Sequence, residues 1–151
     1  MSFRTLGRVW RASPFWLRRG LVRLYQSTFT VSAAAVVVNE DRKVLILHHH
    51  LRPTTGWGLP GGFVDSNEQP ADAIVRELKE ETGIEIRDVR MLQVRTLGRH
   101  IEILFTARAD AAGEILSSEI DHLEWYRPED LPESLPLHDK QLIGLVLKGD
   151  I

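Results

Sequence analysis

Glu77, Glu80 and Glu81 stand at i, i+3 and i+4 in the run Arg76-Glu77-Leu78-Lys79-Glu80-Glu81. If that run is helical, the three side chains share one face and converge within about one turn. Carboxylates this close repel one another unless a cation lies between them. A hard divalent ion such as Mg²⁺ takes oxygen ligands of this kind and keeps open positions for phosphate oxygens. Gly61 and Gly62 lie a few residues upstream, where the lack of a Cβ lets backbone approach a ligand and present its carbonyls. The plainer alternative is a solvated helix face with Lys79 and Arg76 as local salt-bridge partners.

The elements around these residues favour a buried seat. Pro70 suits the first position of a helix and Gly83 its C-terminal cap, which predicts a helix over Pro70 to Thr82. Ala71, Ile74, Val75 and Leu78 would form its apolar stripe against a sheet. Upstream, Thr30 to Val38 and Lys43 to His49 are β-rich runs joined by the polar Asn39-Glu40-Asp41-Arg42, a hairpin signal. A Gly/Pro-rich loop over Pro53 to Gly62 leads into the helix. Downstream, two or three strands fall between Ile86 and Ala109, another over His122 to Tyr126, and a helix from about His138 to Leu147. Strands flanking a central helix, followed by a terminal helix, make an α/β fold with a mixed β-sheet.

The spacing around the glutamates decides between the two readings of them. The 23 residues from Gly62 to Ile84 contain Gly62, Glu68, Arg76, Glu77, Leu78, Glu80, Glu81, Gly83 and Ile84 at fixed intervals. This stretch resembles the Nudix box, in which a glycine, a glutamate and an Arg-Glu-aliphatic-x-Glu-Glu-x-Gly-aliphatic segment recur with those gaps. So many constrained positions are far more specific than a short glycine motif. Trp57-Gly58-Leu59-Pro60-Gly61 is similar to the usual approach to the box. The resemblance extends more loosely from about Val31 to Leu147 and leaves residues 1–26 outside.

The resemblance implies a Nudix-like α/β/α sandwich and Mg²⁺-dependent hydrolysis of the diphosphate linkage in a nucleoside diphosphate joined to another group X. Mn²⁺ is a substitute ion, and X is of the nucleotide sugar, ADP-ribose or nucleoside triphosphate type. It implies Glu77, Glu80 and Glu81 as metal ligands together with the Gly61 carbonyl, and Glu77 as a helper in activating water. Arg76 would orient the carboxylates and Glu68 would pair with Arg76. Glu119, with Asp121 behind it, is the choice for a further ligand or general base, because a glutamate often precedes the corresponding strand; a solvated loop acid is the alternative. A non-catalytic nucleotide-sensing module of the same fold is the alternative. Such modules usually lose a box glutamate, and none is lost here.

Substrate-reading residues are less marked. Arg52 could contact a phosphate, Trp57 could stack on a base although packing is commoner for a large aromatic, and His100 could line the cleft. His100 also occupies the place where a proline would hint at ADP-ribose, and the tyrosine that hints at dinucleoside polyphosphates is missing. His48, His49 and His50 alternate along a strand, so His48 and His50 would face one side and His49 the other. A structural role suits them better than a zinc site.

Composition bounds the rest. The 151 residues are 43% hydrophobic and 26% charged with no cysteine, which fits one globular domain and excludes disulfides, thiolate zinc and cysteine nucleophiles. Residues 1–25 carry six arginines and no acid, while residues 26–151 carry 13 bases against 21 acids, net −8. The acidic body suits a cation-loaded site and a small nucleotide-type partner, not a nucleic-acid-binding surface. Residues 1–26 form a basic amphipathic N-terminal element and residues 27–151 the hydrolase domain. The element's apolar spacing favours packing on the domain or across a homodimer over peripheral contact with an anionic membrane or a flexible tail. No run is long enough to span a bilayer and no signal peptide is evident, so the cytoplasm is the expected compartment.

Overall fold

The structure, a computed structural model, describes residues 3–50 and 55–149. Contacts divide the chain into two compact units, Met1–Thr30 and Val31–Ile151. The first contains helices α1 (Phe3–Ala12) and α2 (Phe15–Tyr25). Ser13-Pro14 separates them: Pro14 is extended (ψ 146°), and its carbonyl accepts from the Leu17 and Arg18 N–H groups that open α2.

The second unit is built on a seven-stranded sheet: β1 (Thr30–Val38), β2 (Val44–His49), β3 (Trp57–Gly58), β4 (Gly61–Phe63), β5 (Arg87–Leu97), β6 (His100–Arg108) and β7 (Ile120–Tyr126). The main path runs β3-β2-β1-β6-β5, with β4 pairing β1 and β7 pairing β2. β1 and β2 are antiparallel, with Val38 opposite Val44, and the Asn39 side chain closes their turn by accepting from Lys43 N at 2.9 Å. β1 and β6 run the same way, since Ser32 bonds His100, Thr106 bonds the Val36 carbonyl and Ala109 N–H bonds the Val38 carbonyl. The sheet is therefore mixed.

Helices cover both of its faces. Ala33, Ala35, Val37, Leu45 and Leu47 pack with Ile74 and Leu78 of α3 (Pro70–Thr82). The alternate residues Ala34, Val36, Val44 and Ile46 pack with Leu142 and Ile143 of α4 (Leu137–Lys148). Period-2 alternation thus sends successive residues of β1 and β2 into two different cores, which explains why both strands read as unbroken apolar runs. Burying Ile74 and Leu78 completely contributes about 1.5–3 kcal/mol each.

α3 begins with Pro70 after the extended Gln69 and ends on Gly83 at φ 67°, whose N–H reaches the Lys79 carbonyl at 3.0 Å. Two details differ from the sequence reading. Val75 is exposed, because the seated face runs through Ala73, Ile74, Leu78, Glu81 and Thr82, and Val75 lies about 100° round the helix from Ile74. The Gly/Pro-rich loop also contains the short strands β3 and β4. Their pairing is dictated by partner strands that their own residues do not announce.

Candidate active site

Two adjacent glycines shape the entrance to α3. β4 lies against β1 with Ala33 opposite Gly62 and Ala34 opposite Gly61. Gly61 has φ +155°, and a Cβ there would stand 2.2 Å from the Ala33 carbonyl oxygen. A Cβ on Gly62 would stand 2.2–2.7 Å from the three atoms of the Glu77 carboxyl group. Gly61 therefore lets β4 close on β1, and Gly62 leaves the space that the Glu77 carboxylate fills.

Arg76 ties this corner together. Its Nε and Nη2 donate to the two oxygens of Glu68 at 2.8 and 3.0 Å, and Nη2 also donates to the Phe63 carbonyl at 3.1 Å. Nη1 donates to Glu77 at 3.0 Å and to Glu80 at 3.3 Å. Glu68 in turn accepts from the Asp65 N–H, so the loop before α3 is bound to the helix it precedes. The guanidinium, with the Asp65 N–H next, holds the Glu68 carboxyl down at about 2. Glu68 likewise holds Arg76 more firmly protonated than usual, against the effect of burial.

Glu77 has the opposite balance. Burial pushes its carboxyl upward, and the nearby charges of Glu80 and Glu119 add to the push while Arg76 resists it. Glu119 thus lies close enough to act on Glu77, although it belongs to the loop before β7. Asp121 is engaged elsewhere: His48 Nδ1 is 2.5 Å and His50 Nδ1 3.5 Å from its two oxygens, and the His48 contact lowers its carboxyl.

The three helix glutamates have unlike surroundings. Glu80 is exposed apart from its bond to Arg76. Glu81 is buried, with one oxygen 3.7 Å from Nδ1 of the buried His49. Among the described residues, no three acidic or imidazole side chains already close on one point. His49, which the sequence reading set on the face opposite His48 and His50 with a structural role, is a site neighbour that reading did not assign. Strand parity carries the signal, because Leu45, Leu47 and His49 share the face that meets α3.

Trp57 is half-buried on the α4 side and meets the rings of His48, His122 and Tyr126 edge-on, with centroids 5.0, 5.2 and 6.2 Å away. His100 Nε2 lies 2.9 Å from the Ser32 hydroxyl, and its ring is 6.0 Å from that of Phe63, an exposed aromatic adjoining Gly62. Arg52 lies outside the described residues.

With this geometry in place, the relationship to known proteins is clear. The NUDIX domain model matches residues 28–145, and the chain belongs to that family. Its relatives include the Uncharacterized Nudix hydrolase YvcI of Bacillus subtilis, 34% identical over 134 residues that cover 81% of this chain and 82% of that protein. The 8-oxo-dGDP phosphatase NUDT18 of Mus musculus is 33% identical over 111 residues, 70% of this chain and 34% of that longer protein. Among solved structures, the NUDIX domain of Shewanella oneidensis NrtR complexed with ADP ribose superposes with a TM-score of 0.72. That match has 23% identity and covers 85% of this chain and 93% of the other, a likeness of fold. The protein is an enzyme of the pyrophosphohydrolase type, and its fold is the Nudix α/β/α sandwich.

Proposed function

We propose that the chain hydrolyses the diphosphate linkage of a nucleoside diphosphate derivative with the help of Mg²⁺, Mn²⁺ serving as a substitute. The observation that carries this reading is the crowding at Glu77. Its carboxyl sits in the space left by Gly62, where burial disfavours its charge, Arg76 opposes that effect, and the like charges of Glu80 and Glu119 add to it.

The donor set fits a hard divalent ion. Glu77, Glu80, Glu81 and the Gly61 carbonyl all offer oxygen donors, and the side chain of Glu80 is exposed apart from its contact with Arg76. When bound, the metal supplies charge neutralisation for the diphosphate and a lowered pKa for the attacking water.

The remaining tasks fall to the protein. Arg76, anchored on Glu68, fixes the Glu77 carboxylate and limits its rotation. Glu119, the acid of the β7 loop that acts on Glu77, accepts the proton of the attacking water at its carboxylate. Asp121 holds His48 and His50 instead, and that distinguishes the two acids. Phe63 and His100 flank the Gly61-Gly62 strand and make a mixed aromatic and polar wall suited to a base or ribose.

The relatives point to the breadth of X. NUDT18 is named for 8-oxo-dGDP and the NrtR domain holds ADP ribose, so both kinds of compound belong among the candidates. The test is a chromatographic screen for nucleotide products such as the nucleoside monophosphate, with Mg²⁺ or Mn²⁺, across ADP-ribose, nucleotide sugars, dinucleoside polyphosphates, and oxidised nucleoside di- and triphosphates. Metal-dependent turnover of at least one class is expected. Tight binding of a nucleotide with no turnover of any class would overturn the reading in favour of a sensing module.

A further inference from the structure

The first unit plays no part in the chemistry proposed above, yet it has a pronounced character. Residues 1–30 contain six arginines and no acid. No residue of α2 is buried. Phe15, Trp16, Leu24 and Tyr25 are 67, 71, 82 and 87% exposed, values unusual for side chains of this size. Trp10 of α1 and Leu17, Leu21 and Val22 of α2 are exposed as well.

The exposed groups of α2 are partly sorted by face, with Phe15, Trp16 and Val22 lying beside the arginines. Leu17, Leu21, Leu24 and Tyr25 stand at i, i+4, i+7 and i+8 and form one apolar stripe. Arg19 and Arg23 stand at i and i+4 on the opposite side, with Arg18 at the border. Arg8 and Arg11 of α1 are exposed too. A helix with an aliphatic stripe on one face, arginines opposite it and exposed aromatics beside the arginines suits the plane between lipid headgroups and acyl chains. α1 has 10 residues and α2 has 11, about half of what crossing the hydrocarbon requires, so lying in the surface is the geometry open to them.

We infer that α1 and α2 form a docking surface for a membrane carrying anionic lipids, with the stripe Leu17-Leu21-Leu24-Tyr25 inserted and the arginines on the headgroups. Charge complementarity selects the partner: six cations without a single acid call for an anionic surface. The aliphatic stripe separates a bilayer from RNA, since leucines on the contact face add nothing to a phosphate backbone, whereas arginines alone would suit either. The apolar pattern, which favours a protein partner when read from sequence, is assigned here to a lipid surface because of the unbalanced positive charge beside it.

The experiment is co-sedimentation of the full chain with vesicles of phosphatidylcholine, with and without about a third phosphatidylglycerol. Binding is expected to the anionic vesicles, with little to the neutral ones, and to weaken as salt rises. Arg19→Ala with Arg23→Ala should weaken the partition about 25-fold, or about fivefold per arginine. Leu17→Glu with Leu21→Glu should abolish it. Circular dichroism confirms that both variants fold, and the arginine pair tests the idea even if the leucine pair perturbs α2. Absence of sedimentation with anionic vesicles, or sedimentation indifferent to both variants, overturns the proposal. It also fails if labelled single-stranded RNA binds and vesicles do not. A wild-type dimer that Leu17→Glu with Leu21→Glu converts to monomer, without vesicle binding, reassigns the face to a second copy.

Discussion

Arg76 grips both oxygens of Glu68, at 2.8 and 3.0 Å, and so leaves its third guanidinium nitrogen to hold Glu77 and Glu80. The pair fixes one end of the guanidinium and thereby sets where the other end can reach. Such bidentate contacts fix geometry as well as contribute energy.

The Glu68 carboxyl titrates near 2 in the folded protein, below its ordinary 4.5, so the pair stabilises the fold at pH above 4.5. That contribution is lost as pH falls from 4.5 through 2. Glu68→Gln should therefore lower the urea midpoint near neutrality, and the gap from wild type should close on acidification. A gap that stays constant with pH would show that the charge of Glu68 has no part in it.

Glu80→Gln should cut turnover by at least about 100-fold, because it removes charge from a ligand set that must hold a dication. The side chain is mostly exposed, so the change in stability should stay within about 0.5 kcal/mol. Steady-state kinetics beside thermal unfolding separate the two quantities. Hydrolysis near the wild-type rate would remove Glu80 from the machinery.

The two glycines of β4 should respond differently to alanine. At Gly62 the atoms nearest the new Cβ are the end of a flexible side chain, Glu77, which can swing aside. Gly62→Ala should fold and lose activity. At Gly61 the Cβ meets the backbone of β1 on a residue with φ +155°, so Gly61→Ala should lose roughly 1–3 kcal/mol of stability. Chemical denaturation and activity measured on both variants check the contrast.

Glu119 and Asp121 are close in sequence but differ in their neighbours. Glu119→Gln should lower kcat by about 10²- to 10⁴-fold if it takes the proton of water. Asp121→Asn frees His48 and His50 and should change kcat only a few-fold. The reverse ranking would transfer the role to Asp121.

Much of this arrangement was legible in the sequence where local rules are strong. Pro70 and Gly83 bracket α3 at its observed ends because a fixed φ and a left-handed cap act within a single turn. The Asn39-to-Arg42 turn likewise specifies its own hairpin. The rest depends on partners distant in the chain. β3 and β4 are two and three residues long and exist because β2 and β1 offer them edges. The seating of His49 against Glu81 joins residues 32 positions apart, and only strand parity hints at it. The exposure of Val75 follows from the rotation of α3 on the sheet, which the apolar spacing leaves open by one residue on either side.

β1 lies inside the sheet, with β4, β2 and β6 beside it, α3 on one face and α4 on the other. Its amides between Ala33 and Val37 can therefore reach deuterated solvent only when the whole domain opens. Their exchange rates would report the global unfolding free energy directly. β5, at the sheet's edge with Met91, Val94 and Leu97 exposed, should exchange through local fraying long before that. The same molecule would thus carry a slow clock at its centre and a fast one at its margin.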